Sequence, residues 1–191
     1  GNGLSAPSLV DSNSDGRADV AYAGDLQGNL WRFDLTDETA TTLFTAGPSK
    51  PITVEPDIAR HPDTGQGFMV YFGTGSLLSG TDALSTDTQT IYGIWDKGNG
   101  LTVPTDNLVP QQLVTQTVTW PVPQEGNLCG DLGITESTST VRFVAAPQVP
   151  DWTSDLGWQV DLPRAGERLI GHPQIRAERV QFVTTHPYDM A

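Results

Sequence analysis

Cysteine is almost missing from this 191-residue sequence, and the lone Cys129 excludes an internal disulfide framework and a cysteine-based metal cluster. It is either a free thiol or paired with a cysteine outside the segment, and neither state implies catalysis. Basic side chains are also scarce: 10 Lys and Arg face 23 Asp and Glu, a formal charge of −13. Such a surface repels phosphate backbones and anionic bilayers, which excludes nucleic acid as a partner. The acidic excess suits cation binding and equally suits a soluble exported protein. No apolar run approaches the roughly 18 residues of a membrane span. Gly1 to Leu4 carries neither the basic start nor the apolar stretch of a signal peptide. The chain opens inside a strand-and-turn pattern and reads as a piece of a longer protein. Amphipathic helical stretches are lacking as well, so helices cannot supply the cover for a core.

What is abundant is glycine and proline, 20 and 14 residues, separated by stretches rich in Thr, Val, Ser and aromatics. That composition predicts an all-β fold of short strands and tight turns. Four kinds of segment recur in the same order. The first sets proline just inside an extended stretch, at Ala6-Pro7-Ser8-Leu9-Val10, Glu55-Pro56-Asp57-Ile58-Ala59 and His172-Pro173-Gln174-Ile175-Arg176. The second is nearly all apolar or small, at Asp19 to Gly24, Phe68 to Gly73 and Arg179 to Thr184, as expected of strands buried on both faces. The third is aromatic and carries an aspartate near its end, at Leu30 to Leu35, Ile91 to Asp96 and Trp158 to Leu162, and a shorter fourth follows each, at Thr42-Leu43-Phe44, Gln112-Leu113-Val114 and Glu167 to Ile170.

Strands buried on both faces without helices must be covered by other sheets. Four short strands per unit, repeated at about fifty residues and stacked face to face, describe a β-propeller with quinoprotein-like blades. A two-sheet sandwich also offers regularly spaced strands, but the proline, apolar, tryptophan order favours the propeller. The expected blades are 5–46 and 54–118, then 156–188 after an insertion at 119–155, all parts of one propeller with an incomplete set of blades. The aromatic residues are expected to fill the core between blades.

Between the first two strands lies Asp11-Ser12-Asn13-Ser14-Asp15-Gly16-Arg17-Ala18-Asp19, with oxygen donors at alternating positions, then glycine, then a final carboxylate. Calcium takes six to eight oxygens at about 2.3–2.6 Å, so one loop wraps it only if positions one, three and five turn inward together. Asp11, Asn13 and Asp15 occupy those places, Gly16 permits the bend, Arg17 offers its carbonyl, and Asp19 closes the shell. Magnesium, which demands a smaller octahedral shell and keeps its water, suits the loop less well. Tyr22 stands where a helix-flanked calcium hand has glutamate, so the loop is a strand-flanked variant. The competing reading is an ordinary Asx/Gly turn with solvated carboxylates.

Other constellations carry no chemistry. His61, His172 and His186 each precede proline, share no ligand spacing and read as loop residues. Asp34, Asp96 and Asp161 end equivalent strands, which suits a structural role better than a carboxylate pair. No nucleophile elbow and no glycine-rich loop leading into a helix is present, so the chain is not expected to be an enzyme.

The stretch from Asp11 to Leu35, DSNSDGRADVAYAGDLQGNLWRFDL, followed by Val70-Tyr71-Phe72-Gly73-Thr74-Gly75, Ile91-Tyr92-Gly93-Ile94-Trp95-Asp96 and Gly157-Trp158-Gln159-Val160-Asp161-Leu162-Pro163, closely resembles the C-terminal propeller of the PilY/PilC-type pilus biogenesis factors and tip adhesins. The resemblance covers most of the chain outside 119–155. It implies an exported protein of the bacterial surface, at the pilus tip and outer membrane, in which calcium in the propeller loop controls extension against retraction of type IV pili, twitching motility and adhesion. It implies partners among pilus components such as the minor pilins of the tip, a host surface, and the rest of the parent protein. Carried over by position, the family's calcium ligands fall on Asp11, Asn13, Asp15, the Arg17 carbonyl and Asp19. The family's variable amino-terminal region, which in some members resembles a von Willebrand A domain, has no counterpart in this segment. Two other readings remain open. Gly24 to Trp31 also resembles blade motifs of quinone-cofactor dehydrogenases, although those enzymes use a vicinal disulfide and only one cysteine is present. An adhesive propeller with purely structural calcium is the other.

Overall fold

The computed structural model describes residues 2–121, 136–144, 146–177 and 179–187; Cys129 lies outside them. The described residues are all-β apart from two short 3-10 turns at Asp82–Leu84 and Thr105–Asn107. The first blade is an antiparallel four-stranded sheet in simple sequence order: β1 (Ser8–Val10), β2 (Val20–Gly24), β3 (Asn29–Asp34) and β4 (Thr39–Thr45). The second blade begins in the same way with β5 (Asp57–Arg60), β6 (Phe68–Gly73) and β7 (Thr90–Asp96). Its remaining two strands are β11 (Gly157–Asp161), antiparallel to β7, and β8 (Val109–Gln111), parallel to β11 at the edge.

This corrects one expectation. The tryptophan strand at Trp158 was expected to belong to a third blade, with the fourth strand of the second blade at Gln112-Leu113-Val114. Instead β11 fills that fourth position, because its register sets Trp158 opposite Gly93. Gly93 is the only residue type that fits there: a Cβ on it would lie 2.5 Å from the Trp158 ring. Asp161 therefore ends a fourth strand, whereas Asp34 and Asp96 do end equivalent third strands.

Residues 112–147 form a separate compact unit. It is a hairpin of β9 (Leu113–Pro121) and β10 (Glu136–Val144). Alternation sets Val114, Val118, Trp120, Val141 and Phe143 on one face and threonines on the other. Beyond β11 the chain forms two small antiparallel pairs: β12 (Arg168–Leu169) with β15 (Thr184–Thr185), and β13 (Gln174–Arg176) with β14 (Arg179–Gln181).

The apolar runs are buried because each blade covers the next. Along β6, Val70 and Phe72 pack with Tyr22, Leu30, Phe44 and Ile52 of the first blade side, while Met69 and Tyr71 on the opposite face pack with Trp158, Ile175, Val180 and Phe182. Phe72 stacks on Tyr92 with centroids 5.1 Å apart, and Phe44 lies 4.9 Å from Tyr92. Burying each such ring stabilises the fold by about 1.5–3 kcal/mol. A polar tie crosses the same seam: the Tyr22 hydroxyl donates to Asp96 Oδ2 at 2.6 Å, and Arg32 Nε lies 3.0 Å from that oxygen, at ion-pair distance without hydrogen-bond alignment. Burial and then the Asp96 carboxylate push the Tyr22 hydroxyl far above its usual range, so it remains a donor. On the other side, buried Arg168 donates to the carbonyls of Gly166, Ser76 and Ser85, pinning the loop that follows β6.

Asp25, at the turn between β2 and β3, is inaccessible to solvent. Its Oδ1 accepts from the N–H groups of Gln27 and Asn29, each at 2.9 Å, and its Oδ2 from Asn2 Nδ2 (2.7 Å), Asn29 Nδ2 (2.9 Å) and Trp31 Nε1 (2.8 Å). Burial raises its pKa, but the hydrogen bonds from Trp31, Asn29 and Asn2 outweigh that and hold the carboxyl below its ordinary value. Its stabilising contribution is therefore present above the ordinary carboxylate range and is lost as pH falls through that range toward the lowered folded value.

Two outcomes follow. Gly93→Ala is expected to cost about 1–3 kcal/mol through collision with Trp158, read as a lower denaturant midpoint together with changed tryptophan emission. Asp25→Asn places an amide NH₂ against at least two N–H donors whichever way it is turned. It is expected to lose about 3 kcal/mol at neutral pH and to flatten the acid limb of the stability curve measured by urea titration from pH 7 to 3.

Candidate metal-binding loop

The Asp11 to Asp19 loop leaves β1 at Val10 and re-enters the sheet at β2, so the register of the first strand pair fixes its two ends. The Asp19 N–H donates to the Val10 carbonyl at 2.8 Å and closes the base, and the Leu35 N–H donates to the Asp19 carbonyl at 2.8 Å from the far end of β3. Asp11, Ser12 and Asp19 are half-buried at this base, while residues 13–17 are exposed. Gly16 turns the tip at φ +88°, and Ser14 is also left-handed at +65°. A short polar residue tolerates this conformation, and Asp11 Oδ1 accepts the Ser14 N–H at 2.6 Å.

The alternating acceptors are held in order by the backbone. Asp11 also accepts from the N–H of Asp15 (3.2 Å) and of Gly16 (2.8 Å), Asn13 Oδ1 accepts from Asp15 N–H at 2.8 Å, and Asp15 Oδ1 accepts from Arg17 N–H at 2.9 Å. Asp11 Oδ1 is filled by the N–H groups of Ser14 and Asp15, whereas Asp11 Oδ2, Asn13 Oδ1 and Asp15 Oδ1 each accept one of these bonds and keep a lone pair. Asp19 is held from the other side of the loop. Its Oδ2 accepts from the Ser12 hydroxyl at 2.5 Å and the Ser12 N–H at 2.8 Å, and Oδ1 lies 3.4 Å from Asn13 Nδ2. The hydrogen bond from the Ser12 hydroxyl, then that from its N–H, holds the Asp19 carboxyl below the usual range, so it is ionised at neutral pH.

The structure thus brings Asp11, Asn13, Asp15, Arg17 and Asp19 into one loop, with the side-chain oxygens of Asp11, Asn13, Asp15 and Asp19 turned to donors of the loop itself. Among the described residues, no three or more His, Cys, Asp or Glu side chains converge as a metal-holding set. The donor chemistry nevertheless fits a hard divalent cation: carboxylates, an amide oxygen and a backbone carbonyl, presented in order and partly preorganised by N–H groups. Sequence reasoning missed two residues here. Ser12, at an even position, is the hinge on which Asp19 hangs. Arg60 of β5 donates from Nη2 to the Ser12 carbonyl at 2.8 Å, a contact from 48 residues away that no local spacing signals.

The other singled-out residues lie elsewhere. His61 is buried between Trp95 and Trp152, with ring centroids 4.2 and 4.3 Å away, and its Nδ1 accepts from the N–H groups of Asp63 and Thr64. Burial lowers its pKa, so the ring is neutral at physiological pH. His172 Nδ1 lies 3.8 Å from Glu55 Oε2, and His186 Nδ1 lies 3.3 Å from an Arg164 nitrogen. The three histidines share no site. In the segment that resembles dehydrogenase blades, Asp25 spends both oxygens on the turn, on Asn2 and on Trp31; beyond it, Asp34 caps the turn after β3 by accepting from Thr36 and Asp37 N–H.

Comparison with known proteins gives this architecture a family. A family model of the PilY1 beta-propeller domain matches residues 1–43 and 38–121. The type IV pilus biogenesis factor PilY1 of Pseudomonas aeruginosa PAO1 is 36% identical over 232 residues, spanning 98% of this chain and 19% of that protein. A type IV pilus biogenesis factor PilY1 homolog of Xylella fastidiosa Temecula1 is 39% identical over 196 residues, spanning 97% of this chain and 14% of that protein. The crystal structure of the Pseudomonas aeruginosa PilY1 C-terminal domain matches with a TM-score of 0.76 at 31% identity, over 97% of this chain and 45% of that one. The chain spans between 11% and 19% of the length of the curated relatives it matches. On the family match and the shared fold together, the chain belongs to the PilY1 β-propeller domain family.

Proposed function

We propose that this chain is a calcium-responsive propeller segment of a type IV pilus biogenesis factor, acting at the cell surface and pilus tip by binding rather than by catalysis. The observation that carries the reading is the Asp11 to Asp19 loop, in which alternating oxygen donors are ordered by backbone N–H groups and anchored at both ends to the first blade. Asp11, Asn13, Asp15, the Arg17 carbonyl and Asp19 would hold the ion. Calcium supplies the positive charge that lets three carboxylates share one loop, and it stiffens the connection between β1 and β2.

The loop's own residues do the rest. Ser12 presents Asp19, the Asp11 carboxylate gathers the tip, and the Asp19 N–H ties the base to Val10, so a change at the tip reaches the strand pair directly. In the parent protein this coupling would let calcium bias pilus extension against retraction, and with it twitching motility and adhesion. Its partners would be pilus components such as the minor pilins of the tip, with a host surface as the adhesive target. The names of the relatives support the pilus assignment; the loop supports the calcium dependence.

Calcium is expected to raise the melting temperature of the intact protein, with a stabilisation of about 2.7 kcal/mol at a hundredfold excess over the dissociation constant. Asp15→Ala should abolish the shift. Isothermal titration without calcium uptake at millimolar concentration would refute the site. In the full-length protein, Asp19→Ala is expected to alter pilus retraction, whereas unchanged retraction with lost calcium binding would make the ion purely structural.

A further inference from the structure

The edge strands β1 and β5 of the first two blades do not pair with each other; between them lies a cleft of about 470 Å³ lined by Ser8, Val10, Glu55, Asp57, Arg60 and Phe68 among others. The seam is bridged near both ends. At one, the Ser8 hydroxyl meets Glu55 Oε1 at 3.1 Å and the Pro56 carbonyl. At the other, Arg60 reaches across from the second blade to the Ser12 carbonyl at 2.8 Å. Arg60 is exposed, but its side chain is held at two points. It sits opposite Phe68 in the strand register, with its guanidinium carbon 5.3 Å from the centre of that ring.

Ser12 is therefore held on one side and holds on the other. Its carbonyl accepts from Arg60, while its N–H and hydroxyl both donate to the Asp19 carboxylate. Holding the Ser12 carbonyl restrains that residue's ψ and so, through its Cα, the placement of its own N–H and hydroxyl, which makes the seat of Asp19 depend on a side chain of the next blade. We propose that Arg60 is a positioning residue for the metal-binding loop, a latch through which cation occupancy of the first blade is coupled to the docking of the second. The inference rests on the calcium reading of the loop and deepens it. By reciprocity, if the latched conformation binds the cation better, cation binding tightens the latch and hence the seam between β1 and β5.

The latch predicts a sign that charge alone does not. Arg60 brings a positive charge to an acidic loop, and Coulomb repulsion by itself makes its removal strengthen cation binding. Positioning makes its removal weaken binding. The test is calcium titration calorimetry on the intact protein and on Arg60→Ala and Phe68→Leu, with amide hydrogen exchange at Ser12 measured in the absence of calcium. Arg60→Ala is expected to weaken calcium binding roughly fivefold, at the lower end of typical site-to-site couplings. It should also speed exchange of the Ser12 N–H. Phe68→Leu, which leaves the charge unchanged but removes the ring beneath the guanidinium, should move both readouts in the same direction by less. A wild-type protein that binds calcium beside an Arg60→Ala protein that binds it equally or more tightly overturns the latch and leaves the site intact. A wild-type protein that takes up no calcium sinks the reading of the loop, and the latch with it.

Discussion

Everything in this fold depends on one constraint: the sheet of the second blade is apolar on both faces, and the described residues include no α-helix to cover it. Along β6 the side chains alternate between two aromatic-rich layers, Val70 and Phe72 toward one, Met69 and Tyr71 toward the other. Each layer can be completed only by another sheet, so blade must stack on blade. The buried polar groups obey the same constraint. Tyr22, Arg32 and Asp96 meet across the first seam because a buried carboxylate needs donors from whatever covers it. Arg168 likewise finds carbonyls of the loop packed against it.

Blade stacking also decides what the loops can do. A connection between β1 and β2 emerges at the end of the blade, anchored by ladder bonds at both ends, and its tip is free to specialise. The Asp11 to Asp19 loop carries three carboxylates within nine residues, Asp11 and Asp19 at its base and Asp15 in its exposed part. Backbone N–H groups offset part of their mutual repulsion, and Ser12 keeps Asp19 ionised and oriented. What remains is an oxygen-rich ribbon short of positive charge, seated beside a seam that Arg60 spans. In the proposed reading a divalent cation would satisfy the first need, and the seam would give its arrival a structural consequence.

Much of this was readable in the residues. Proline just before Ser8–Val10 and Asp57–Arg60 marked the first strands of the two blades, and the unbroken apolar runs of Val20–Gly24 and Phe68–Gly73 announced sheets covered on both faces. The alternating oxygens of the loop were visible because their spacing is local. The position of Gly157–Asp161 was not, since its partner β7 lies about sixty residues earlier and the match depends on the missing side chain of Gly93 making room for Trp158. No periodicity encodes a fit of that kind. Ser12 and Arg60 were hidden for a related reason: Ser12 occupies a position where a metal loop makes no demand, and Arg60 reaches it only after two blades have docked.

The central claim is that the loop gathers its oxygens around calcium, and an atomic structure of the intact protein determined in millimolar calcium tests it most directly. The expected result is a single ion held by Asp11, Asn13, Asp15, the Arg17 carbonyl and Asp19 at about 2.3–2.6 Å. Carboxylates that stay on the loop's own N–H and hydroxyl donors, with no ion between them, would contradict it.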